Sequence, residues 1–321
     1  MKRILLSLIT TLVCSFASGQ SIKKLDYCNC IDQVEQASPV LEGKFERVCD
    51  GKRIETGLFV NGKKEGEWSS YNKKGALLRK INYSQGQLNG KCDLYFANGN
   101  PKLTAFFDKG EKVGQWTYFT AKGKVFMAGE YESGKPVNTW TIHDKKGKAP
   151  AIQYDFKEAK YLINQPVALH QDNDIVHDDN SGQYYILRYP SRANVKGSSP
   201  LGGFHLSSDL FVELVEIPFD YWDTYTSYKY KATFHTSVEG KTSVRLESIA
   251  NHLGNNVPIY PFIIKTNDDR KLKDVKHSDL SRKLLEFKIL EALNFLPPWI
   301  ILDQQETEIY IPYVINQIVG Y

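Results

Sequence analysis

Between residues 42 and 156 the apolar positions fall into short, strand-like runs broken by glycine at a fixed interval. Gly62, Gly86, Gly110 and Gly134 stand 24 residues apart, and so do Gly51, Gly75, Gly99, Gly123 and Gly147. Trp68, Cys92, Trp116 and Trp140 hold one further phase, and Tyr71, Tyr95, Phe119 and His143 another. A third aromatic phase runs Phe59, Tyr83, Phe107, Tyr131 and slips by one to Tyr154. Phases kept in step over four copies define a repeat. Each copy reads as a β-hairpin that turns at Asp50-Gly51, Lys74-Gly75, Asn98-Gly99, Lys122-Gly123 or Lys146-Gly147, where glycine accepts a positive φ. One hairpin is marginal in water, so neighbours are expected to stack and share their aromatic faces. Trp68, Tyr71, Tyr95, Trp116, Phe119 and Trp140 are expected to form that shared core rather than a ligand-stacking platform. The first copy, Glu42 to Phe59, is one residue short; the last has Asn138 for glycine and His143 for an aromatic, as capping repeats do.

The repeat is lost after Phe156. In the connector, 157–200, Tyr184 to Tyr189 reads as a strand and Pro190 to Pro200 as a loop. From 201 to 321 the pattern alternates helix and strand. Ser207 and Ser208 cap a helix carrying Leu210, Phe211, Leu214 and Val215 that stops near Pro218. Tyr228, Tyr230, Ala232 and Phe234 alternate as a strand, Glu239-Gly240 turns the chain, and Val244, Leu246 and Ile249 form the antiparallel mate. Asp279 caps a second helix with Leu285, Ile289, Ala292, Leu293 and Leu296 in one stripe, ended by Pro297-Pro298-Trp299. The last strand, Thr307 to Ile315, contains Pro312, which predicts an edge or bulged position. The fold class expected is β-rich and multidomain: a β-hairpin repeat array followed by a small α+β domain in α-β-β-α-β order.

Lys2 and Arg3, the apolar run Ile4 to Phe16 and Ala17-Ser18-Gly19 make up a secretory signal peptide, 1–19, with Gln20 as the first mature residue. The run is too short to span a bilayer, which takes roughly 20 residues. Export to the periplasm or cell envelope puts the segment 20–41 and its cysteines in a disulfide-permissive space. Cys28, Cys30, Cys49 and Cys92 are the candidates; Cys28 or Cys30 bonded to Cys49 is favoured, and three full connectivities remain open. Cys-x-Cys with two distant partners is poor zinc spacing. His170, Asp172, Asp174, His177, Asp178 and Asp179 are dense but match no ion-binding loop, and read as an acidic surface. No metal and no cofactor are expected.

A 41% hydrophobic fraction with 24% charged residues over 321 positions excludes a mostly disordered chain. The net charge of +4 becomes +2 without Lys2 and Arg3, 39 basic against 37 acidic residues, which leaves no footprint for nucleic acid. The seven histidines are scattered, and no Gly-x-Ser-x-Gly, phosphate loop or dinucleotide fingerprint is present, so no enzymatic activity is expected. Lys73, Lys74, Lys122, Lys145 and Lys146 are interleaved with acids, the pattern of a solvated face; contact with membrane lipid is a secondary expectation.

Asn61-Gly62-Lys63-Lys64-Glu65-Gly66-Glu67-Trp68, then Tyr71 and Gly75, resembles the bacterial MORN-repeat variant of YwqK-type antitoxins, over about 42 to 156. That resemblance implies a hairpin array and protein or lipid contacts. The segment from Gly202 to Ile318 is similar to the C-terminal domain of TonB-type proteins, on Gly202-Gly203, Pro218, Glu239-Gly240-Lys241, Leu293, Leu296-Pro297-Pro298-Trp299 and Ile311-Pro312-Tyr313. It departs from that family by an insertion, 251–277, and by Ile300-Ile301-Leu302-Asp303 after the Trp. The similarity implies capture of an extended peptide at a sheet edge, with Thr307 to Ile315 as the docking strand and Ile309, Ile311 and Tyr313 as its probes; a strand that only completes the core is the alternative. The function expected is a non-enzymatic exported binding or scaffold protein with an unidentified protein partner. A TonB-type energy transducer and a YwqK-type antitoxin are the alternatives.

Overall fold

The structure is a computed structural model and describes residues 21–24, 30–36, 40–144, 146–167, 175–178, 183–186, 198–218, 224–237, 240–249, 264–267, 273–274, 279–300 and 307–316. The signal segment, Cys28, His170, Asp172, Asp174 and Asp179 lie outside the described residues.

The repeat builds one antiparallel sheet of thirteen strands in sequence order. It opens with β1 (Ser21–Lys24), β2 (Cys30–Gln36), β3 (Glu42–Cys49), β4 (Lys52–Val60), β5 (Lys63–Tyr71) and β6 (Leu77–Ser84). It continues with β7 (Gln87–Tyr95), β8 (Pro101–Asp108), β9 (Glu111–Phe119), β10 (Val125–Glu132), β11 (Lys135–His143), β12 (Pro150–Asp155) and β13 (Lys160–Asn164). The hairpins therefore join edge to edge rather than stacking face on face. The sheet also reaches past the repeat at both ends, taking in 21–36 and 160–164.

Both glycine phases make turns, one at each end of the strands. Asn61-Gly62, Gln85-Gly86, Lys109-Gly110 and Ser133-Gly134 are two-residue turns with φ positive at both positions, the twist that suits a hairpin. At the other end Gly75, Gly99 and Gly123 close tight turns with φ of 83°, 84° and 75°. Every hairpin with its tip at a two-residue turn of this set carries a bulge; between β4 and β5 the register steps from Thr56↔Ser69 to Leu58↔Glu65. Gly66, Gly90 and Gly114 sit in these bulges at positive φ, and Asn138 takes the same conformation at φ 56°. The tryptophan two residues on donates its indole N–H back across the bulge: Trp68 to the Leu58 carbonyl at 3.2 Å, Trp116 to Phe106 at 3.3 Å, Trp140 to Glu130 at 3.2 Å.

Alternation decides which aromatics meet. Trp116 and Tyr118 are buried on one face, Thr117 and Phe119 face the other way and are half-buried. Trp68 and Tyr71 are likewise three apart, so Tyr71, Tyr95 and Phe119 do not belong to the shared core, contrary to the sequence expectation. The core ladder is instead Phe45, Phe59, Trp68 and Tyr83, then Phe107, Trp116, Tyr131 and Trp140, with ring centroids 4.9–6.4 Å apart.

The rest of the chain supplies the cover for that face. In order come β14 (Ile175–Asp178), β15 (Gln183–Ile186), β16 (Ser199–Pro200), α1 (Gly203–Leu214), β17 (Thr224–Thr236) and β18 (Thr242–Ile249). They are followed by β19 (Ile264–Asn267), β20 (Lys273–Asp274), α2 (Asp279–Asn294), β21 (Trp299–Ile300) and β22 (Thr307–Asn316). A second sheet runs β14-β15-β19-β22-β17-β18, with β20 beside β17 and a short β16–β21 ribbon apart. Both the connector and the insertion thus contribute strands to this sheet. The helix start differs from the expectation: Gly202 at φ 84° is the N-cap, and Ser207 and Ser208 lie inside α1, buried. A Cβ at Gly202 would collide with Leu206 and press on Ile142 of β11, so the glycine lets the helix begin tight against the array.

A continuous hydrophobic core runs through both halves. Phe295, just past α2, lies 5.9 Å from the Phe107 ring and 6.3 Å from Trp116, and its carbonyl accepts the Tyr118 hydroxyl at 2.7 Å. Burying an aromatic side chain of this kind stabilises by roughly 1.5–3 kcal/mol. The aromatic ladder on one face of the sheet and the apolar faces of the two helices thus cover each other.

Candidate functional site

Where α1 and α2 lie on β4 to β6, the seam is ionic rather than apolar. Arg79 on β6 is buried and bonds through Nε to Glu216 at 2.8 Å, through Nη1 to Glu291 on α2, and through Nη2 to the Leu214 carbonyl at 2.8 Å. Lys288 of α2 reaches the same Glu216 oxygen at 3.0 Å, Ser70 donates to it at 3.3 Å, and the Tyr83 hydroxyl donates to Glu291 at 3.2 Å. Beside them Lys64 pairs with Glu55 at 3.4 Å and caps the Trp68 ring at 3.9 Å. Arg47 extends the chain of charges to Glu55 at 3.7 Å and to both oxygens of Asp32.

Burial alone would push Glu55 and Glu216 up, but the cations win. Lys64, Lys288 and Arg47 hold Glu55 at about 2 against an ordinary 4.5, and Lys288 with Arg79 draws Glu216 down against its burial. Burial works against the charge on Lys288 too, and Glu216 more than offsets it and raises that ammonium. A carboxyl depressed on folding contributes stability above its unfolded value and loses it as the pH falls to its folded value. The urea midpoint is therefore expected to stay flat from pH 7 to about 5 and to fall below about 4.5. Glu55→Gln should lower stability at pH 7 and flatten that fall; an unchanged acid limb would mean that Glu55 is not held by its neighbours.

The cysteine pairing resolves to Cys30–Cys49, directly opposite each other on β2 and β3 and both buried. Cys92 is a free, buried thiol whose burial pushes it up to about 12, an inert group standing where the other copies carry tryptophan. Of the acid and histidine cluster, His177 and Asp178 fall in β14, and among the described residues no group of three or more such side chains converges. No helix among them is long and apolar enough to cross a membrane.

The expected docking strand needs correcting. β22 lies between β17, antiparallel, and β19, which runs parallel to it along Tyr313–Asn316. Tyr313 is therefore inside the sheet, whereas Ile309 and Ile311 pair on the β17 side alone among the described residues. Pairing with β19 begins just past Pro312, whose nitrogen has no hydrogen to give. Among the described strands this sheet ends at β14, a strand of four residues, and at β18. β18 pairs with β17 over eight unbroken residue pairs, Lys229↔Ile249 to Thr236↔Thr242, and no described strand covers its other side. Ser243, Arg245 and Ser248 are exposed along it. The large sheet also ends open at β13, where Tyr161 and Leu162 are 41% and 51% exposed, but a register break at Leu162 bends that edge.

The chain is thus a β-rich protein in which one long antiparallel hairpin sheet is covered by two helices and accompanied by a second, smaller sheet. No family model and no curated protein matches it. Two solved structures share a segment with it at 13% identity and a TM-score of 0.18. One is a point mutant of S. aureus TarM in complex with Fondaparinux, alpha-GlcNAc-glycerol and UDP, over 27% of this chain and 20% of that one. The other is TarM, over 28% and 21%. The chain spans about a fifth of the length of those structures, and likeness at that level bears on neither fold nor activity.

Proposed function

We propose that this is a non-enzymatic binding protein of the bacterial cell envelope, exported to the periplasm, which captures an extended segment of a partner protein by strand addition. The array is of the MORN-variant kind and the α+β module of the TonB C-terminal kind, on the residues quoted above. The observation that carries the reading is the outer side of β18: an eight-residue, unbulged ladder, longer than the four-residue end strands β1 and β14 and free of the bulge in β13. The partner strand would add next to Ser243, Arg245 and Ser248 rather than along β22. Lipid is a lesser candidate. The transducer alternative needs an extended spacer, and an array whose aromatic face is covered by helices is a poor one.

A photo-crosslinking residue placed at Arg245 or Ser248 in native cells should join a discrete protein in the periplasmic fraction, in a chain that starts at Gln20. The same residue at Glu67, exposed on the array, should not. Equal crosslinking from all three positions, or none from β18, would remove the strand-addition reading. A crosslinked chain that retains Lys2 to Phe16 in the inner membrane would favour the tethered alternative.

A further inference from the structure

Where the β8–β9 and β10–β11 turns approach the β17–β18 turn, a cleft of about 560 Å³ opens, within the range of small-ligand sites. Phe107 and the glycines of the two array turns give it apolar walls; Lys112, His235, Ser237 and Asn294 bring polar groups to it, with the Glu111–Lys241 ion pair and the start of β18 at its rim. Two of these are unfinished. The Lys112 ammonium lies 5.0 Å from the Trp116 ring and 5.2 Å from Tyr131, and it donates to the Leu296 carbonyl at 3.2 Å. No carboxylate among the described residues pairs with it, and burial lowers it to about 7. Lys241, by contrast, is neutralised by Glu111 at 2.7 Å. The Ser237 hydroxyl oxygen is buried without a hydrogen-bond partner among the described residues, and native proteins seldom leave such a group unmet.

A single anionic head meets both wants: it returns a counter-charge to Lys112 and accepts from the Ser237 hydroxyl. We propose that this cleft binds a small organic molecule with one carboxylate or phosphate head, held by Lys112 and Ser237, and an apolar body against Phe107. The site shares Thr242 and Ser243 with the start of β18, and it does not depend on the protein-capture reading.

Calorimetric titration of the full chain with benzoate, phenyl phosphate and the neutral benzyl alcohol tests it, and the stronger of the two anions identifies the head. At least one anion is expected to bind tenfold or more tightly than benzyl alcohol. Lys112→Met keeps an unbranched stem between the two rings and removes the charge; it should weaken the anion at least tenfold without lowering the melting point. Ser237→Ala, just past the end of β17, should weaken it several-fold and carries the test if Lys112→Met fails to fold. Equal binding of the neutral probe, no binding of either anion, or unchanged binding in the folded variants would overturn the proposal.

Discussion

Arg79→Ala is expected to cost about 3–5 kcal/mol and to loosen both helices from the array, because it leaves two buried carboxylates without their shared cation. Arg79 contacts Glu216, Glu291 and the last-turn carbonyl of α1 together, so its loss opens the seam in three places. Lys288 still serves Glu216, but Glu291 keeps only a tyrosine hydroxyl among the contacts described above. Guanidinium denaturation gives the size of the loss, and hydrogen exchange of the α1 and α2 amides gives its place. The deficit should shrink near pH 4, where protonated carboxyls no longer need a cation. An apolar replacement of the set, Arg79→Met with Glu216→Gln and Glu291→Gln, is expected to recover most of the stability, since a buried ionic cluster competes poorly with packed neutral groups. A loss from Arg79→Ala below about 1 kcal/mol would mean that water reaches these charges as it does a surface pair.

The same position shows what sequence can and cannot tell. Arg79 shares parity with Ile81 and Tyr83, both buried, so alternation alone marks it as a charge on the core side. It also continues a 24-residue phase: Glu55, Arg79, Leu103, Met127, Ala151. The last three are buried apolar side chains, and the first two are the charges of the seam. That signal stands in the sequence, as does the three-residue offset that puts Tyr71, Tyr95 and Phe119 across the sheet from the tryptophans. The turns, the repeat length, the stripe of α2 and the β17–β18 hairpin are legible because each rests on local chemistry. The partners of Arg79 are not, since Glu291 lies 212 residues away and stands outside the apolar stripe that the sequence marks on α2. The position of β22 depends in the same way on β19, a strand inside what reads as an insertion.

A second test falls on the tryptophan phase, where one copy departs from the rest. On the preceding strand Gly57 faces Trp68, Ala105 falls opposite Trp116 and Gly129 faces Trp140, whereas Ile81 pairs with Cys92. A Cβ at Gly57 or Gly129 would fall inside the indole of its tryptophan, so these glycines are kept for space and not for backbone freedom. Size trades across each pair: a large ring against a hydrogen or a methyl, or a branched aliphatic against a thiol. Gly129→Ile should therefore overpack the core and cost about 3 kcal/mol or more. Trp140→Cys should cost about 3–5 kcal/mol through the cavity and the lost indole bond to the Glu130 carbonyl. The double variant reproduces the Ile81–Cys92 pairing and should cost much less than the sum, with a coupling energy of roughly 3 kcal/mol from the denaturation cycle. Simple additivity would mean that the two positions do not share a cavity, and that the tryptophan phase is held by the bulge geometry instead of by packing across the pair.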